Sequence, residues 1–324
     1  MKLKSKKIFI TGHKGMVGSA FLKILSKNKK FKIILADRKK LDLENQTKVD
    51  LFFKQNKPDI VINAAALAGG IYANETFSGD FIDKNLIIQH NVIKSSHKYN
   101  VERLLFLGSS CIYPRNCSQP MSEKYLLGNY LEKTNEAYAV AKIAGLKMCE
   151  FFNKQFNTDF RSVMPTNIYG LNDKYHEKNS HVIPAMIMKF HEAKLYKKKF
   201  VKVWGTGKAK REFIFVDDMV KICLKILFKP KKKYNAFLKK KNISFLNIGS
   251  GQELNIKELS NLIKKITEFK GKIIFDKTKK DGTPRKLLDN SSLNKFLNEK
   301  KNFTSLGDGL SKTYDDFLKK YYKN

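Results

Sequence analysis

Short apolar runs alternate with stretches of helical spacing along the first half of the chain. Ile8–Thr11, Ile33–Ala36, Ile60–Asn63 and Leu104–Gly108 are almost wholly apolar and too short for helices. Such runs predict strands buried on both faces. Val17–Leu25, Asn45–Gln55 and Ile87–Tyr99 instead carry apolar residues three and four apart, which predicts helices with one core-facing stripe. Strand–helix alternation of this kind predicts a parallel sheet covered on both faces. Further on, helices are predicted at Tyr138–Phe152, within Ser180–Lys199 after Pro184, and at Val216–Phe228, Ile256–Thr267 and Lys312–Tyr322. Asp217 and Asp218 open one of these, where negative charge suits the helix dipole. Strands are predicted at Phe160–Met164, Phe245–Ile248 and Lys272–Phe275, and Asp276–Lys286 reads as a polar loop. The lysine-rich stretch Lys229–Asn242 reads as an exposed loop.

Composition narrows the class. Of 324 residues, 42% are hydrophobic and 12% aromatic, which supplies a core and excludes a disordered or collagen-like chain. Cys111, Cys117, Cys149 and Cys223 form no C-x-x-C pair, so neither a disulfide scaffold nor a zinc site is expected. The opening residues lack the apolar stretch of a leader, and no window approaches the roughly 20 apolar residues of a membrane span. A cytoplasmic protein with no membrane partner and no metal is expected. The net charge of +34 would ordinarily suggest a polyanion. Yet only six of the 64 basic residues are arginines, and the lysines are dispersed. Arginine carries the planar fork that reads bases and clamps phosphates. The excess therefore reads as a solvated lysine-rich surface, with no nucleic-acid partner.

Two local patterns carry chemistry. Gly12, Gly15 and Gly18 follow the first predicted strand and open the first helix, with His13, Lys14, Met16 and Val17 between them. Glycines there permit a tight turn and close approach of a pyrophosphate to the helix N-terminus, the mark of a dinucleotide site. The residue after the second strand separates cofactors: an acid receives the ribose 2′-hydroxyl of NAD, an arginine the 2′-phosphate of NADP. Asp37 and Arg38 stand side by side, and Lys14 adds a second cation, which favours NADP(H). In the second pattern, Tyr138 and Lys142 lie one helical turn apart and share a face. Lys142 is expected to lower the pKa of the Tyr138 phenol, which then exchanges a proton with a substrate oxygen. Ser109, just past the fourth strand, is placed to hydrogen-bond the same oxygen.

The glycine triplet, Asn63–Ala66, Ser109 and the Tyr138/Lys142 pair resemble the extended short-chain dehydrogenase/reductase superfamily. Longer stretches resemble its GDP-L-fucose synthase family: Leu107–Pro114, Tyr138–Gly145, Ser162–Gly170, Ser180–Ala185, Arg211–Phe213, Val216–Met219 and Asp281–Asp289. The resemblance runs from about residue 6 to the C-terminus. It implies a Rossmann-like doubly wound parallel sheet with a smaller C-terminal α/β substrate domain. Residues 1–164 and about 210–248 would form the NADP-binding domain. Residues 165–209 and about 249–324 would hold a GDP-linked nucleotide sugar. Ala64, Leu107, Gly108, Pro165, Thr166, Asn167, Ile168 and His181 would join the glycine turn at the cofactor. Lys189, Trp204, Arg211, Asp281 and Lys286 would surround the nucleotide of the substrate. A homodimer built on helices near Ile87–Tyr99 and Tyr138–Phe152 is also implied.

The implied substrate carries a ketone at C4 of the hexose, which acidifies the hydrogens at C3 and C5. Cys111, as a thiolate beside a cationic His181, would be the base and His181 the acid that inverts both centres. Reduction at C4 would follow. Lys189 departs from the family, where Arg is expected, and Leu67 stands where relatives often place Lys. Four other readings compete. A related enzyme could act on another 4-keto nucleotide sugar, such as a GDP-heptose. A 4,6-dehydratase would carry Asp-Glu where Ser110-Cys111 stand, and a 4-epimerase needs no Cys/His pair. A non-catalytic polyanion-binding protein would need no Ser109, Tyr138 and Lys142.

Overall fold

A computed structural model describes residues 5–299 and 301–322; residues 1–4, where the leader reading begins, lie outside them. The strands in chain order are β1 (Lys6–Thr11), β2 (Phe31–Ile34), β3 (Ile60–Asn63), β4 (Arg103–Leu107), β5 (Phe160–Pro165) and β6 (Asn167–Tyr169). Then come β7 (Phe200–Trp204), β8 (Lys210–Phe215), β9 (Phe245–Ile248), β10 (Glu253–Asn255), β11 (Lys272–Asp276) and β12 (Arg285–Lys286). The helices are α1 (Met16–Leu25), α2 (Gln46–Asn56), α3 (Ile71–Thr76), α4 (Ser78–Lys98), α5 (Glu136–Phe156) and α6 (Val182–Leu195). They continue with α7 (Val216–Phe228), α8 (Lys231–Lys241), α9 (Ile256–Thr267), α10 (Ser291–Leu297) and α11 (Leu306–Tyr321).

Six strands form one parallel sheet in the order β2-β1-β3-β4-β5-β9. Alternation along each strand divides its side chains between two cores. Ile8, Ile10, Leu105 and Leu107 join the core beneath α1 and α7, whereas Phe9, Leu104 and Phe106 join that of α2, α4 and α5. A smaller sheet centres on β8, flanked by antiparallel β10 and parallel β12 and β6, while β7 and β11 pair separately. A third core of α6, α9 and α11 packs there, around Phe190, Ile263 and Phe317.

Two expectations change. Lys210–Phe215 is expected in the nucleotide-binding domain, but β8 pairs within the smaller sheet. Conversely Leu293 and Leu297 of α10 pack into the large sheet's core. Lys229–Asn242 is not a loop. Tyr234, Phe237 and Leu238 sit three and four apart and give α8 a core-facing stripe that six surrounding lysines hide in the sequence. Tyr234 is fully buried, with the Arg161 guanidinium 4.7 Å above its ring. Tyr234→Ala should therefore cost roughly 3–5 kcal/mol, seen as a lower urea midpoint with an unchanged m-value. Among the described residues no helix is long and apolar enough to cross a membrane.

Candidate active site

The loops after β1, β3, β4 and β5 converge on one cleft of about 1410 Å³, at the carboxyl ends of the parallel strands. Gly12 has φ +64°, and a β-carbon there would meet Ala64 O at 2.9 Å. A β-carbon on Gly18 would meet Gly12 O at 2.2 Å, so α1 packs against the turn only because Gly18 has none. Gly15 occupies the N-cap position of α1 without a side-chain cap, which leaves first-turn amides for an anion. His13 Nδ1 is buried there without a partner. This cradle suits the pyrophosphate of a dinucleotide. Ala64, Leu107, Gly108 and the stretch 165–168 line the same cleft. Thr166 and Asn167 donate their side-chain hydrogen bonds to Glu212 O, at 3.1 and 2.8 Å. Their positions are thus fixed by the smaller sheet.

Ser109, Tyr138 and Lys142 come together in the middle of the cleft. Lys142 is buried and donates to Leu107 O at 2.9 Å. Burial lowers its pKa to about 8. Burial also raises the Tyr138 pKa well above that of ordinary tyrosine; proximity to Cys111 adds to this and the Ser109 hydroxyl offsets part. The expected lowering of Tyr138 by Lys142 is not found, because desolvation of the phenolate outweighs everything else around it. The phenol is therefore held as an acid. Ser109 Oγ also accepts the Cys111 amide at 3.3 Å, which fixes the turn that presents Cys111.

Cys111 and His181 line this cleft, but they are not hydrogen-bonded to each other. The donors at Cys111 Sγ are Asn135 Nδ2, at 3.2 Å, and Lys286 Nζ, at 3.5 Å. His181 takes the N-cap position of α6, yet its side chain caps nothing and stays free toward the cleft. Surrounding protein pushes its pKa below the usual histidine value, although its surface remains open to the cleft. The expected pairing of a thiolate with a cationic His181 is replaced by Lys286 beside the sulfur.

At the far end, Lys189 Nζ lies 4.9 Å from the Trp204 ring centre and 3.7 Å from Glu177. Arg211 donates to Asp281 O at 2.9 Å, and Asp281 accepts from Thr206 N and Oγ1 at 2.8 and 2.7 Å. Asp281 therefore shapes its loop rather than standing free. Sequence reasoning missed Tyr72, edge-on to Trp204 at 6.4 Å, and the Glu75–Lys280 ion pair at 2.8 Å across the same mouth. It also missed Asn135, whose only signal was its place three residues before Tyr138. Leu67 is anchored at both backbone groups by Asn85, at 3.0 and 2.9 Å. No group of three or more potential metal ligands occurs among the described residues.

The NAD dependent epimerase/dehydratase family matches residues 8–238. GDP-L-fucose synthase 1 of Arabidopsis thaliana is 49% identical over 319 residues, 98% of this chain and 95% of the plant protein. A GDP-6-OMe-4-keto-L-xylo-heptose reductase from C. jejuni superposes with a TM-score of 0.90 at 34% identity, covering 98% of this chain and 99% of that one. A GDP-mannoheptose C4 reductase from Campylobacter jejuni, solved with NADP bound, gives 0.86 at 35% identity and the same coverage. With most of its length matched, and with the glycine cradle and the Tyr138/Lys142 pair in one cleft, the chain belongs to the NAD dependent epimerase/dehydratase family.

Proposed function

We propose that this chain is a GDP-L-fucose synthase, which inverts C3 and C5 of GDP-4-keto-6-deoxy-D-mannose and reduces its C4 ketone. The observation that carries the reading is a single cleft holding both a reductase group, Ser109/Tyr138/Lys142, and a separate acid/base pair, Cys111 and His181. A plain reductase needs only the first. Full-length identity of nearly half to a plant GDP-L-fucose synthase supports the same substrate.

In this reading Cys111 takes the proton from C3 and then from C5. His181 donates its own proton to the opposite face each time; between the two events Cys111 releases its proton to solvent and His181 takes one up. Tyr138 and Ser109 donate hydrogen bonds to the C4 oxygen and stabilise the enolate between these events, as an oxyanion site does. The glycine turn Gly12–Gly18 would hold NADPH, whose chemistry when bound would be hydride donation to C4. Tyr138, kept protonated by burial, gives its proton to the same oxygen. Lys142, anchored by Leu107 O, holds its charge beside Tyr138 and toward the cofactor ribose. Lys189 and Arg211 bring positive charge to the substrate diphosphate, while Lys286 lies beside Cys111. Lys at 189 keeps the charge of the Arg expected there but makes a single contact in place of a bidentate one.

A heptose analogue is the second reading, favoured by the close superposition of the C. jejuni heptose reductase. Two copies of the chain would associate through α4 and α5, where Leu86, Ile87 and Met148 line an apolar groove. All four cysteines are free thiols, which suits a reducing cytoplasm. Purified protein with NADPH and GDP-4-keto-6-deoxy-D-mannose should lose absorbance at 340 nm and yield GDP-L-fucose by NMR. No turnover of that ketone, with the cofactor bound, would sink the reading.

A further inference from the structure

Two cations and two anions meet where the cleft passes the end of β2. Lys14, from the glycine turn, lies 3.2 Å from Asp37, and Arg38 lies 2.8 Å from Glu44. The acids are the more enclosed partners: the side chains of Asp37 and Glu44 are 29% and 26% exposed, those of Lys14 and Arg38 73% and 76%. Asp37 is also anchored, since its Oδ1 accepts the Lys40 amide at 3.1 Å. The bonds from Lys14 and the Lys40 amide hold its carboxyl below the usual aspartate value. Of the other cations on this wall, Lys84 is taken by Asp80 at 2.8 Å. Lys39 stands outside any ion pair among the described residues.

The consequence is a largely neutralised subsite. A 2′-phosphate, with close to two negative charges, gains Lys14 and Arg38 only by drawing them off Asp37 and Glu44, or by sitting beside both carboxylates. A ribose 2′-hydroxyl carries no charge and can donate to Asp37, whose carboxylate has more acceptor sites than its two present donors fill. Lys39 leaves one cation for a phosphate. We propose that Asp37 and Glu44 set the cofactor selectivity of this chain, weakening its grip on the 2′-phosphate so that NADH and NADPH bind with comparable affinity. The proposal rests on the dinucleotide reading of the cleft and is independent of the sugar.

Calorimetric titration of the full chain with NADP+ and with NAD+, without substrate, tests it. The wild-type dissociation constants should agree within about tenfold. Asp37→Asn with Glu44→Gln frees both cations, and regaining one charge-assisted bond should tighten NADP+ by about tenfold or more. NAD+ should weaken in the Asp37→Asn variant. A wild-type ratio larger than tenfold, or one that the double variant leaves unchanged, overturns the proposal. Binding of neither dinucleotide overturns it together with the dinucleotide reading, whereas inactivity toward the keto sugar touches only the substrate reading.

Discussion

Tyr138→Phe is expected to lower the rate of C4 reduction by about 10²- to 10⁴-fold, the usual worth of a positioned proton donor. The ring itself should stay in place, because its edge-on contact with Phe81, at 6.2 Å, involves no hydroxyl. Thermal stability and dinucleotide affinity should therefore change little, which separates lost chemistry from lost structure. Burial explains why the phenol is suited to this direction of reaction. It holds the phenol protonated, as the proposed donation to the C4 oxygen requires. Single-turnover absorbance at 340 nm reads the step directly, and a rate within tenfold of wild type would remove Tyr138 as the donor.

Cys111→Ser should abolish inversion while leaving hydride transfer measurable. A serine hydroxyl fills similar space but does not ionise near neutral pH, so the base is lost, again about 10²-fold or more. Incubation of the 4-ketone in D₂O without the reductant isolates this half of the reaction. The wild type should exchange deuterium into C3 and C5, visible by NMR, and the variant should not. Exchange at the wild-type rate would take Cys111 out of the mechanism. The donors Asn135 and Lys286 remain in the variant, so the change tests the sulfur and not its surroundings.

The buried strands β3 and β9 and the helices α7 and α9 were legible to the residue, because both their faces or one clear stripe are apolar. What escaped was polar on one side or brought in from afar. In β7, Val201 and Val203 alternate with exposed Phe200 and Lys202, a period too short to read alone. In α8 the lysines at both ends mask the stripe of Tyr234. The glycine turn and the Tyr138/Lys142 pair are local in sequence and were found. Lys286 reaches Cys111 across 175 residues, and Glu75 reaches Lys280 across 205; no spacing rule encodes either contact. The pairing of Lys14 with Asp37 and of Arg38 with Glu44 is nearer in sequence, but only the fold reveals that each cation is already engaged.

Trp204 is the only tryptophan in the chain. Tyr72 meets it edge-on, and the ammonium groups of Lys189 and Lys279 lie 4.9 and 5.7 Å from its ring centre. All indole emission from this protein thus originates at the mouth of the cleft. A diphosphate that drew those ammonium groups away would change the field on the indole and should shift its spectrum. Its emission would then gauge cleft occupancy, without a label and without turnover.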